Sequence, residues 1–124
     1  MLNFDETPEF QKDVKRLKKS WRSIPSDIER AKLAITPLYV PVEDVDMNEL
    51  REQFFATPRA TRLQMTETYE VVKMRLDCAS LGNDKKTRLV FVMVKTADTI
   101  HLVELYAKSE KDREDSARIK KYTK

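Results

Sequence analysis

Residues 69–76, 87–95 and 99–108 read YEVVKMRL, TRLVFVMVK and TIHLVELYAK, and these three segments decide the fold. Each segment is rich in β-branched and aromatic residues, and polar residues separate one from the next. This length and composition favour strands over a buried helix. The middle segment is almost continuously apolar, which is typical of a central strand covered on both faces. The sequence therefore predicts three consecutive strands that pair through turns.

Four cations are placed on these strands so that they can meet. Side chains alternate between the two faces of a strand, so Lys73 and Arg75 point the same way. Arg88 begins the second strand, and Lys108 ends the third. If consecutive strands are antiparallel neighbours, the four side chains converge near one end of the sheet and form a candidate phosphate site. The alternative is that they only solvate an open sheet face, because antiparallel sheets often leave one face wet.

Length and composition exclude several classes of protein. We expect one domain over residues 1–124, and a cytoplasmic protein without a membrane partner, because no segment approaches the roughly 20 apolar residues of a membrane span and the N-terminus lacks a signal-peptide pattern. Cys78 and His101 are the only residues of their types, so we expect neither a disulfide nor a metal site, and no cofactor. Gly82 is the single glycine, which excludes a glycine-rich phosphate loop. The net charge of +3 is small, so the distribution of charge matters more than its total.

The flanking segments predict helices. A first helix starts at the Thr7-Pro8-Glu9 cap, and a second follows Pro25. Asp112 can cap a final helix that carries Ile119 and Tyr122. Residues 38–68 are harder to interpret, although a short amphipathic helix near residues 47–54 fits their pattern. The sequence thus predicts an α+β fold, with the two N-terminal helices packed on one face of the sheet.

The order of these segments resembles the RelE/ParE superfamily of bacterial toxin–antitoxin toxins, and within it the RelE-like ribonuclease branch. The segments that carry the resemblance are FQKDVKRL at 10–17, KMR at 73–75, RLVFV at 88–92 and LYAKSEK at 105–111. It covers nearly the whole chain, apart from a family-atypical insert at about residues 38–68. The fold it implies is a small, twisted antiparallel sheet with two N-terminal helices on one face and a C-terminal helix.

The same resemblance implies a function and partners. The implied activity is metal-independent cleavage of messenger RNA, usually on the ribosome, which blocks translation. In that reaction the RNA 2′-hydroxyl attacks the adjacent phosphate and expels the 5′-oxygen of the next nucleotide. The implied protein partner is a small antitoxin that covers the basic face, in a hetero-oligomer. Two alternatives stay open: a ParE-like toxin that poisons DNA gyrase, and a catalytically silent RNA-binding protein of the same fold.

Residue roles follow from the resemblance and from the needs of the reaction. Arg88 is predicted to stabilise the phosphate, Arg75 to steady it, Lys73 to accept the 2′-hydroxyl proton and Lys108 to serve the leaving group. Further residues are predicted to bind substrate: Lys85, Lys86, Tyr106 and Lys111. The chain departs from the family at Ser109 and over residues 112–115, where an arginine and an aromatic residue are often found. By strand parity, His101 and Glu104 are predicted to lie on opposite faces.

Overall fold

A mixed five-stranded sheet is the centre of the structure, a computed structural model that describes residues 2–41, 43–81 and 84–123, with side chains at all of these positions but 77, 81 and 84–86. The helices and strands in these ranges are β1 (Asn3–Glu6), α1 (Pro8–Lys18), α2 (Ile24–Tyr39), α3 (Met47–Phe55), β2 (Ala60–Met65), β3 (Tyr69–Cys78), β4 (Asp84–Val94), β5 (Thr99–Ala107) and α4 (Ser116–Lys120). The predicted α+β class and the three consecutive strands are confirmed.

The strand order is β1-β5-β4-β3-β2, and β1 pairs with β5 in parallel while the other pairs are antiparallel. The prediction of a purely antiparallel sheet is therefore wrong. The physical reason is the connection: strands joined by a short turn pair in opposite directions, whereas β1 reaches β5 only through the rest of the fold and is free to run parallel to it. Residues 38–68 supply α3, where the pattern allowed a short amphipathic helix, and the edge strand β2, which the pattern did not predict.

Helices α1 and α2 cover one face of the sheet, as predicted. Phe10 and Ile35 are completely buried there against Met74, Phe91 and other apolar strand residues. Helix α1 starts where the sequence predicts it, because the Thr7 hydroxyl accepts a hydrogen bond from the Phe10 backbone N–H at 3.3 Å. This packing leaves the opposite face of the sheet available for the cations.

The C-terminal helix α4 lies on that opposite face. The predicted Asp112 cap is wrong: Asp115 caps the helix, and its side chain accepts a hydrogen bond from the Arg118 N–H at 3.1 Å. Ile119 packs against Val71, Val90 and other residues of the sheet, and Tyr122 lies at the margin of this cluster. Because α4 covers only part of the face, the end of the sheet near Arg75 and Arg88 stays outside it. Among the described helices, none is long and apolar enough to cross a membrane.

Beyond the end of β1, side chains form hydrogen bonds with backbone groups at the edge of β5. Asp13 of α1 accepts a hydrogen bond from the Leu105 N–H at 3.0 Å, and Arg118 of α4 donates to the Val103 carbonyl at 3.0 Å. Arg118 also donates to Asp13 at 2.5 Å, so the two helices meet around this edge. The contact fixes the part of β5 that leads to Tyr106, where the candidate site begins.

Candidate functional site

Three residues form a row across the central strands. Arg75 of β3 lies directly opposite Arg88 of β4, and Arg88 lies opposite Tyr106 of β5. Lys73 precedes Arg75 by two residues and Lys108 follows Tyr106 by two, so strand alternation places both beside the row and on the same face. This register explains how residues distant in the chain come together.

The row opens into a cleft of about 190 Å³. The residues that line it are Pro58, Arg59, Thr61, Lys73, Met74, Arg75, Arg88, Tyr106, Lys108 and Asp112. The four cations predicted to meet do meet here, and Tyr106 is with them. The geometry thus favours a site over four separately solvated side chains, while the chemical roles of these residues stay predictions.

Positive charge accumulates at the centre of the cleft. Burial lowers the pKa of the Arg88 guanidinium from its ordinary value, and the charge of Arg75 lowers it further. Like charges directly opposite each other destabilise a sheet. In the described part of the chain, neither Arg75 nor Lys108 has a carboxylate at ion-pairing distance. An anion that bridged the two arginines would relieve this repulsion.

Lys73 is held differently from the arginines. Its amine lies 3.5 Å from a carboxylate oxygen of Glu114, in the loop before α4. Both side chains are largely buried, with 26% and 17% of their surfaces exposed. Of the cleft's cations, Lys73 is thus paired with a carboxylate, and that carboxylate does not itself line the cleft.

Tyr106 is the most buried member of the row, with 1% of its surface exposed. Its hydroxyl oxygen is buried and has no hydrogen-bond partner among the described residues. Burial raises the pKa of this phenol to about 12, and the negative charges of Glu114 and Glu104 act in the same direction, whereas Arg88 opposes them. The phenol is consequently neutral at physiological pH and retains its proton.

Of the remaining predicted substrate-binding residues, Lys111 lies apart from this group. The Lys111 amine binds the buried carboxylate of Glu104 and lies 5.3 Å from the centre of the Tyr106 ring. Lys111 therefore contacts residues next to the cleft, and it does not line the cleft itself. The side chains of Lys85 and Lys86 fall outside those that the structure describes.

Sequence reasoning missed several residues of the cleft. Pro58, Arg59 and Thr61 come from the segment around β2, which pairs with β3 so that Thr61 lies opposite Lys73. The only signal for this strand is a short run, ATRLQM at 60–65, between Pro58 and the polar residues 66–68. Asp112, which also lines the cleft, and Glu114, which pairs with Lys73, belong to the charged run that departs from the family pattern. In the sequence, neither carboxylate has an evident partner.

The predicted separation of His101 from Glu104 is wrong. The β4–β5 register shifts between Val90 and Phe91, so that His101 lies opposite Val92 and Glu104 opposite Val90, on one face. A bulge adds one residue to a strand, and this reverses the parity count. The two side chains still have separate partners: His101 lies 2.7 Å from Asp5, and Glu104 accepts a hydrogen bond from the Asp115 N–H at 2.8 Å.

Among the described residues, no three His, Cys, Asp or Glu side chains are grouped so that they could hold a metal ion.

A larger cleft of about 450 Å³ lies beside α3, over the buried carboxylate of Glu70. That carboxylate accepts a hydrogen bond from the Tyr39 hydroxyl at 2.9 Å and lies 3.6 Å from the Lys95 amine. Its polar atoms are thus already paired, in contrast to the Tyr106 hydroxyl.

Comparisons with known proteins add no relative to this description. No protein-family model matches the chain, no curated protein matches it, and no solved structure matches it. The resemblance to the RelE/ParE superfamily rests on the quoted segments alone.

Proposed function

We propose that this chain is the toxin of a toxin–antitoxin system and that it cleaves messenger RNA in its cationic cleft, most effectively on the ribosome. The observation that carries the proposal is the row formed by Arg75, Arg88 and Tyr106, with Lys73 and Lys108 beside it. A pair of guanidinium groups suits a phosphate group, because each guanidinium presents a planar set of donors that can bind two of its oxygens.

The cleft supplies what RNA cleavage by its own 2′-hydroxyl needs. In this reaction the O2′–P bond forms and the P–O5′ bond breaks, and negative charge increases on the phosphate oxygens between these events. Arg75 and Arg88 stabilise that charge by preorganised hydrogen bonds in a partly desolvated site. Lys73 is the proposed acceptor of the 2′-hydroxyl proton, and the Glu114 carboxylate, 3.5 Å from its amine, can receive a proton from Lys73 in turn. Lys108 adds positive charge on the leaving-group side.

The proposed protein partner is an antitoxin that binds over the cleft and blocks it. Its chemistry should complement the site, so we expect acidic side chains opposite the arginine pair. The proposed complex is a toxin–antitoxin hetero-oligomer in the cytoplasm. Co-expression with the antitoxin should then restore growth that the toxin alone arrests.

Inducible expression followed by mapping of RNA ends tests the proposal. The wild-type chain should arrest growth and produce new ends within coding regions. Arg75→Ala and Arg88→Ala should abolish both effects while remaining folded. Arg22→Ala is a matched control, because Arg22 is exposed and does not line the cleft. Normal growth and intact RNA with folded wild-type protein would overturn the proposal, as would gyrase-dependent DNA damage without RNA cleavage.

A further inference from the structure

Among the described residues, the Tyr106 hydroxyl is the one buried side-chain oxygen without a hydrogen-bond partner; the other such atoms are arginine Nε atoms. The side chain is buried, yet its hydroxyl has no partner among the described residues. Buried hydroxyl groups nearly always have one, because desolvation without compensation is unfavourable. Tyr39 shows the ordinary arrangement, since its hydroxyl donates to Glu70 at 2.9 Å. Tyr106 is one of the residues that line the cleft, together with Arg88 and Lys108, so its buried hydroxyl belongs to the wall of the cleft.

Packing alone does not account for a tyrosine at this position. The ring packs among Val90, Val103 and Ile119 on the α4 side of the sheet. A phenylalanine ring would fill the same space without leaving a buried oxygen unpaired. The hydroxyl therefore costs stability in the unliganded protein, and a ligand oxygen in the cleft would remove that cost.

The surroundings also determine what the hydroxyl can do. Glu104 and Glu114 lie near the ring and disfavour the phenolate, and burial raises the pKa of Tyr106 to about 12. The group is thus unsuited to accept the 2′-hydroxyl proton. It is suited to donate, because an alkoxide leaving group is more basic than a phenolate. Arg88, directly opposite on β4, acts in favour of the phenolate and would stabilise it once the proton had left.

We infer that Tyr106 is a catalytic residue, the general acid that protonates the 5′-oxygen of the leaving nucleotide; this inference rests on the proposed function. As the P–O5′ bond breaks, the phenol proton passes to O5′ and the electron pair of that bond is neutralised. The 2′-hydroxyl proton passes to the Lys73–Glu114 pair at the same time. After the products leave, the Lys73–Glu114 pair loses its extra proton to water and the Tyr106 phenolate takes one from water, so the enzyme returns to its starting state with no net gain or loss of protons.

A substrate with a changed leaving atom tests this role. The probe is a short messenger RNA, bound to ribosomes, that carries sulfur in place of the 5′-oxygen at the mapped cleavage position. A thiolate leaves without needing a proton. Tyr106→Phe should slow single-turnover cleavage of the ordinary RNA by about 10²–10⁴-fold, the usual contribution of a general acid. It should leave cleavage of the sulfur-substituted RNA at nearly the wild-type rate.

Tyr39→Phe is the matched control. It removes a buried hydroxyl that is paired, so it should lower the unfolding midpoint and leave cleavage of both RNAs unchanged. Tyr106→Phe should show the reverse: an equal or higher unfolding midpoint, with cleavage lost only for the ordinary RNA. Such a reversal would not be produced by a merely structural tyrosine.

Each other outcome has a distinct meaning. Equal slowing of both RNAs by Tyr106→Phe overturns the general-acid role, and so does cleavage of the ordinary RNA at the wild-type rate. Either result leaves the proposed function intact, because the wild-type chain still cleaves. Failure of the wild-type chain to cleave any ribosome-bound RNA overturns the proposed function and this inference together.

Discussion

Replacing Asp13 by alanine should destabilise the fold severely, because this carboxylate connects α1, β5 and α4. Its side chain is 5% exposed. It binds the Arg118 guanidinium at 2.5 Å, the Arg16 guanidinium at 2.9 Å and the Leu105 N–H at 3.0 Å. The substitution leaves the largely buried Arg118 without its nearest carboxylate and leaves one strand-edge N–H unpaired.

The magnitude follows from the burial of the pair. Removing one partner of a buried ion pair costs about 3–5 kcal/mol of unfolding free energy, because the remaining charge stays desolvated. For a chain of this size, that loss corresponds to a fall in Tm of roughly 10–20 °C. Chemical denaturation followed by circular dichroism measures the loss directly.

Glu9→Ala is the matched control for Asp13→Ala. Glu9 also binds Arg118, at 3.5 Å, but its side chain is 33% exposed. An exposed pair contributes about 0–1 kcal/mol. If Asp13→Ala were no more destabilising than Glu9→Ala, the account of α4 docking through this carboxylate would be refuted.

Three further predictions concern the cleft. The Glu114 carboxylate lies 3.5 Å from the Lys73 amine, so it should compete with an RNA phosphate for that amine. Glu114→Gln removes this competitor, and the Kd for a short RNA should fall by about 1.4–5-fold in fluorescence anisotropy. An unchanged or weaker affinity would contradict the competition. Arg75→Ala should reduce the slope of log Kd against log salt by about 0.7, the value for one phosphate contact with single-stranded RNA, whereas Arg22→Ala should leave the slope unchanged. Ultraviolet titration should show one phenol fewer ionising near pH 12 in Tyr106→Phe. Because the folded-state pKa of Tyr106 lies above the ordinary value of 10, the folded protein holds the phenol proton more tightly than the unfolded chain does. The free energy of unfolding should therefore fall between pH 10 and pH 12, and it should fall further in the wild type than in Tyr106→Phe.

The central sheet and its row of cations could be predicted from the sequence, because they depend only on the apolar runs and on the alternation of side chains between the two faces of a strand. Apolar runs identified β3, β4 and β5, and alternation placed Lys73 and Arg75 on one face. Antiparallel pairing of neighbours then brought Arg88 close to Arg75. These inferences need only local pattern and short connections.

The rest depends on interactions that the local pattern does not record. The bulge in β5 adds Val103 to one face and thereby puts His101 and Glu104 on the same side. Strand β2 carries a partly exposed, polar-rich sequence, so its alternation is weak and its pairing with β3 sets its position. Pro37 lies inside α2, which continues to Tyr39, although proline usually ends a helix.

The central claim is that Arg75 and Arg88 hold the phosphate at which RNA is cut. Its most direct measurement is the rate and chemistry of cleavage of ribosome-bound RNA by purified protein, with the product ends identified by mass spectrometry. The account predicts a 2′,3′-cyclic phosphate on one product and a 5′-hydroxyl on the other, with a loss of about 10²–10³-fold in rate for either arginine-to-alanine variant. Wild-type rates in both folded variants, or products with a 5′-phosphate, would contradict it.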